Sequence, residues 1–65
     1  MGIRGMRAGD SIFAKDASAV WIVDEVGFNE VEVYDRDRPS VTKTISAADL
    51  ECVDSHDGIW QEMES

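Results

Sequence analysis

The chain has one cysteine, one proline and one histidine in 65 residues, and six basic side chains against fourteen acidic ones. Each scarcity closes off a class of protein. Cys52 alone cannot form an intramolecular disulfide, so the staple of small secreted domains is missing and a reducing, cytoplasmic setting is expected. No apolar run approaches the roughly 18 residues that a membrane span requires. The longest, Ala19 to Val23, is far shorter, and the first residues lack the apolar stretch of a secretory signal. With so few bases the net charge is −8. That argues against ordinary nucleic-acid binders, which displace counterions with cationic surface, and against adhesion to anionic membranes. A protein partner with a basic surface is favoured instead.

Residues that carry chemistry are equally sparse. Nucleophilic catalysis needs a base beside the nucleophile, and Cys52 with His56 is the one thiol–imidazole combination. At its strand position Cys52 is expected to be buried as a small hydrophobe, so no catalytic pair is assigned. Cys52, Asp54, His56 and Asp57 match neither the paired cysteines of a zinc site nor the alternating acids of a calcium loop, and no metal is assigned. Paired-carboxylate catalysis needs a pocket that fixes their separation, and abundant acids make accidental pairs. Neither a phosphate-cradling glycine loop nor a nucleophile elbow is present. The reading is non-enzymatic, with no catalytic residue and no cofactor.

What the chain does contain is alternation with a period of two. Ser11 to Lys15 and Ala19 to Val26 read as strands, the second with a bulge at Asp24-Glu25. Gly27-Phe28-Asn29, tolerant of positive φ, turns into Glu30 to Asp35, with Val31 and Val33 on one side and Glu30, Glu32 and Tyr34 on the other. Pro39 marks a turn before a strand over Val41 to Ile45. Ser46-Ala47-Ala48-Asp49 starts one helical turn, and Leu50 to Val53 closes the sheet. The expected core is Ile12, Ala14, Trp21, Val23, Val26, Val31, Val33, Val41, Ile45, Leu50 and Val53.

The order Gly9-Asp10-x-Ile12, Val23-x-x-Val26, Glu30-Val31-x-Val33, Ile45, Ala48-Asp49-Leu50-Glu51-x-Val53 resembles Src-homology-3-like barrels of the Tudor and KOW kind, over residues 9–53. The resemblance implies an all-β fold: a small five-stranded half-open SH3-like barrel with one 3-10 turn before the last strand. Residues 1–6 are then a flexible leader, 7–54 the barrel and 55–65 an acidic C-terminal tail. Within that tail Ser55 to Met63 reads as a short helix, capped by Ser55, with Ile59, Trp60 and Met63 at helical spacing. Either Ile59 and Trp60 fold back over an open barrel end, or the tail is an exposed anchor for a partner.

Tudor-like relatives hold methylated lysine or arginine in aromatic and acidic cages, which draws attention to Phe13, Trp21, Phe28 and Tyr34. With Trp21 assigned to the core, the expected partner-binding set is Phe13, Phe28, Glu30, Glu32, Tyr34 and Trp60. These would form an acidic–aromatic face for a basic protein. Packing of Phe13 and Phe28 over barrel ends, and acids that only solubilise, are the plain alternatives. Two other functions fit the composition: a phage or mobile-element inhibitor that mimics nucleic acid and blocks an enzyme that handles it, and direct RNA contact through Arg4, Arg7, Arg36, Arg38 and Lys43, as in KOW-like domains. Any exposed strand edge would also offer a homodimer contact.

Overall fold

Alternation along the chain decides which side of a strand is buried, and the third and fourth strands follow it closely. The structure, a computed structural model, describes residues 3, 5–16, 18–54 and 56–63. It contains β1 (Ser11–Phe13), β2 (Val20–Val26), β3 (Glu30–Asp35), β4 (Thr42–Ser46), a 3-10 turn (Ala47–Asp49), β5 (Leu50–Asp54) and β6 (Ile59–Glu62). All strands join one sheet in the order β4-β3-β2-β1-β6-β5. Six strands spaced about 4.8 Å apart would make a flat sheet about 10 Å thick with its facing layer. The molecule instead measures 27 × 22 × 22 Å, so the sheet curls into a half-barrel around its own core. The fold is all-β as expected, with six strands where five were anticipated.

The β2-β3-β4 meander matches the sequence reading. On β3, Val31 and Val33 are buried while Glu30 and Glu32 are exposed. The register of β2 on β3 shifts between Val23 and Glu25, which makes Asp24 the extra residue of the bulge. The tip of this hairpin depends on Gly27 through close approach, without positive φ. Its N–H donates to the Glu30 carbonyl at 2.7 Å, and a Cβ there would lie 2.9 Å from that oxygen. After β4, Ser46 caps the 3-10 turn, its hydroxyl accepting from Ala48 N–H at 3.4 Å.

The sixth strand is the main correction. The 3-10 turn precedes β5, and β5 does not close on β1, because β6 lies between them, antiparallel to β5 and parallel to β1. The helix expected over Ser55 to Met63 is replaced by a tight turn and a strand. Asp54 Oδ1 accepts from the N–H groups of His56 and Asp57, and Gly58 then takes φ +67. That arrangement reverses the chain, and Trp60 comes to rest on the core side, 1% exposed. Ser55, the expected cap, lies outside the described residues, as do Met1, Gly2 and Arg4 of the expected leader. Two other residues of that leader, Ile3 and Met6, are core residues, joined by a turn in which Met6 N–H donates to the Ile3 carbonyl.

The core is therefore Ile3, Met6, Ile12, Ala14, Val23, Val31, Val33, Ile45, Ala47, Leu50 and Trp60. Trp21, assigned to the core, lies half-buried against it. Val26, Val41 and Val53, also assigned there, are 37%, 42% and 55% exposed. The first two sit at the mouths of the half-barrel, at the end of β2 and just before β4, and Val53 lies on a sheet-edge strand next to a register shift. Cys52 is likewise exposed, because β5 has no neighbour on its outer side.

Candidate interaction face

Residues directly opposite one another in neighbouring strands share a face of the sheet. Following the pairing strand by strand gives one row across all six strands on the side away from the core: Asp54, Ile59, Ser11, Ile22, Tyr34 and Thr42. Phe13 pairs with Val20 in a parallel row on the same side. Ile22, Tyr34, Val20 and Ile59 are half-buried and Phe13 is 41% exposed, so the centre of this outer face is apolar. Toward the β2-β3 hairpin the face turns acidic. Glu25 lies opposite Glu32, Glu32 opposite Thr44, and Glu30 opposite Ser46.

Four of the expected partner-binding residues, Phe13, Glu30, Glu32 and Tyr34, are thus brought to one face. Phe28 stands beyond its end at the hairpin tip, 94% exposed. Trp60 belongs to the opposite side: it is paired with Ile12 and Cys52 in the core layer, and its indole N–H donates to Asp10 Oδ2 at 3.1 Å. It is removed from the set, because a fully packed ring with its polar end satisfied presents nothing to a partner. The residues missed from sequence are Val20 and Ile22, which alternate with Trp21 and Val23, and Ile59, whose outward direction follows only from the register.

The electrostatics separate used from unused charges. Among the described residues the ion pairs are Arg36–Asp37 at 3.7 Å and Lys43–Glu62 at 2.9 Å. Asp24, Glu25, Glu30 and Glu32 therefore form no ion pair among the described residues. Like charges placed directly opposite, as Glu25 and Glu32 are, destabilise a strand pair by a few tenths of a kcal/mol, up to about 1 kcal/mol. Lys43 points to the core side, bonded to Glu62 and 4.4 Å from the centre of the Trp21 ring. Of the cations considered for RNA, Lys43 is thereby committed, and Arg36 already has an acidic neighbour.

Concavities lined by the described residues include three that bear on the site. One of about 450 Å³ at the end of the half-barrel is lined by Gly5, Arg7, Asp10, His56, Asp57 and Gly58. Its Asp10 carboxylate is structural, since Oδ2 accepts from both Arg7 N–H and Trp60 Nε1. A smaller one of about 180 Å³ lies beside Trp21, Lys43 and Glu62, and the Trp21 indole N–H is buried without a partner among the described residues. Burying such a donor unpaired costs about 1–3 kcal/mol. The third, about 380 Å³, is lined by Asp24, Glu32, Val33, Thr42, Lys43 and Thr44 and adjoins the acidic end of the outer face. Near the smaller cleft Asp16 is held below the ordinary carboxylate value of 3.8, chiefly by the hydroxyl of Ser18 and then by its N–H. No three metal-ligating side chains gather among the described residues, and no helix among them is long and apolar enough to cross a membrane. The chain matches no family model, no curated protein and no solved structure.

Proposed function

We propose that the protein is a small acidic binding module, with no catalytic chemistry of its own, that presents the outer face of its sheet to a protein with a basic surface. One observation carries this reading: the strand register gathers Phe13, Val20, Ile22 and Tyr34 beside Glu25, Glu30 and Glu32, and those carboxylates form no ion pair among the described residues. An apolar centre with a charged margin suits a protein interface, because the centre gains by desolvation and the margin selects the sign of the partner. A cation placed between Glu25 and Glu32 would also relieve their mutual repulsion. Steering by a net charge of −8 would quicken encounter with a basic partner.

The test uses the wild-type chain and the double variant Glu30→Lys, Glu32→Lys as baits for an extract of the native host, with and without nuclease, read by mass spectrometry. A protein held by the wild type, insensitive to nuclease and lost from the variant is the expected result. Equal retention by both baits overturns the assignment of the face. Retention of a nucleic-acid enzyme that increases after nuclease would transfer the function to mimicry of nucleic acid. Capture that vanishes with nuclease would mean direct contact with RNA or DNA.

A further inference from the structure

The two edges of the sheet, β4 and β5, leave different backbone groups free. Between β3 and β4, Asp35 N–H donates to the Val41 carbonyl and Ala47 N–H to the Asn29 carbonyl, both at 2.8 Å. Bonded and non-bonded pairs alternate along an antiparallel ladder. With those two pairs bonded, Val33/Lys43 and Val31/Ile45 are bonded too, and Thr42 and Thr44 turn their N–H and carbonyl groups away from β3. Among the described residues no strand lies on that side of β4, and its register is uninterrupted. The β5 edge is guarded: Leu50 N–H is taken by the Ala47 carbonyl, and the register shifts between Cys52 and Asp54. Such interruptions protect an edge from pairing. The one charged residue of β4, Lys43, is turned inward to Glu62, so Thr42, Thr44 and Ser46 line the outer side of the open edge.

Charge selects the occupant. The groove of about 380 Å³ beside this edge is lined by Asp24 and Glu32, neither in an ion pair among the described residues, with Val33, Thr42, Thr44 and Lys43, whose ammonium is turned away to Glu62. A second copy would bring its own Glu32 and a net charge of −8 against the same edge, and would be repelled. A strand added beyond β4 lies about 10 Å from β3, which an arginine side chain can span to reach Glu32. Its planar fork of donors matches a carboxylate better than the point charge of lysine.

We propose that the open edge of β4 accepts an extended, arginine-bearing segment of the partner as an added strand, whose basic side chains enter the groove between Asp24 and Glu32. This rests on the reading of the outer face as a surface for a basic protein and specifies how that protein is held. The probe is a capped seven-residue peptide of alternating arginine and threonine, titrated at low salt into the isotopically labelled chain and read by amide shifts and amide hydrogen exchange.

Expected are shifts at Thr42 and Thr44, slowing of exchange at both by tenfold or more, and at least tenfold weaker binding after Asp24→Asn with Glu32→Gln. The same peptide N-methylated at alternate residues should lose the protection. Shifts confined to Glu25, Glu30 and Tyr34, unchanged by N-methylation, would overturn strand addition while leaving a basic partner for the face intact. Absence of any shift would overturn strand addition; the charge-reversal capture then decides the face independently. Protection of Thr42 and Thr44 that grows with protein concentration in the absence of peptide would overturn it in favour of a second copy.

Discussion

The β2-β3-β4 meander and the β1-β6-β5 half of the sheet are built by different means. In the meander, each strand pairs with its neighbour in sequence, and short turns, the alternation of β3 and β4 and a single bulge in β2 specify the register. In the other half, β1 and β6 are parallel and their pairing joins residues about fifty positions apart, with Trp60 set against Ile12. The first half is held by many local choices that agree, the second by one large side chain and the turn that delivers it. Local pairing is robust to loss of any one residue, whereas long-range pairing concentrates the free energy where the chain returns.

Trp60→Ala should therefore have the largest effect of any single truncation. Removing a buried tryptophan costs about 3–5 kcal/mol, comparable with the whole stability of about 3–10 kcal/mol expected for a domain of this length. Denaturant titration should find the variant largely unfolded. Phe28→Ala, at the tip of the meander, removes another large aromatic, but one that is 94% exposed, and should move stability by no more than about 0.5 kcal/mol. Equal losses at the two positions would break the comparison.

Next in size is Gly58→Ala. Gly58 has φ +67, and a Cβ there would lie 2.6 Å from Asp10 Oδ1. The left-handed conformation alone costs about 1–2 kcal/mol for a residue with a side chain. Moving Asp10 would in addition loosen the acceptor of both Arg7 N–H and Trp60 Nε1. A fall in thermal midpoint is expected, and it should be smaller when Asp10→Asn is already present, because the two changes act on one contact. Full additivity would show that Asp10 does not couple the turn to β6.

The same contrast explains what could be read from the sequence. β2, β3, β4, the bulge at Asp24 and the cap at Ser46 were legible, because each depends on residues within a few positions of one another. β6 was not: Ile59, Trp60 and Met63 also satisfy helical spacing, and only the Asp57-Gly58 pair, a strong hairpin signal between Val53 and Ile59, argued for a turn. Ile3 and Met6 gave no periodic signal, since they enter the core from a turn and not from a strand. On the candidate face, the side chains of β3 were legible from alternation alone. Val20 and Ile22 were implied by the assignment of Trp21 and Val23 to the core but were not named for the face, and Ile59 was not legible, because its direction depends on the parallel β1-β6 pairing.

A smaller effect is expected where the two halves meet across the mouth of the sheet. Lys43 on β4 bonds Glu62 on β6 at 2.9 Å while lying 4.4 Å from the Trp21 ring centre. The Lys43 side chain is 37% exposed, so solvent weakens the attraction. A double-mutant cycle with Lys43→Met and Glu62→Gln should give a coupling of about 0.5–1 kcal/mol that declines with salt. Coupling near zero at low salt would mean that this ion pair adds nothing to the joins made by the core, the β1-β2 ladder and the 3-10 turn.

The smallest effect lies in the β1-β2 loop, where the halves are covalently joined. Asp16 Oδ1 accepts from the Ser18 hydroxyl at 2.6 Å and from Ser18 N–H at 3.0 Å, and these bonds favour the ionised carboxylate. Its folded value is thereby lowered below 3.8. A depressed carboxylate contributes stability that is present above the unfolded value and is lost as pH falls through the folded value. Ser18→Ala removes the larger of the two bonds and leaves the N–H in place. A carboxyl-carbon titration by NMR should then show the Asp16 midpoint rising toward its ordinary value without reaching it. The acid-side loss of stability should begin at the same pH in both proteins and be shallower in the variant, since only the folded state has changed. An unchanged Asp16 midpoint would mean that the backbone N–H alone holds the loop, leaving the junction between the halves independent of the serine side chain.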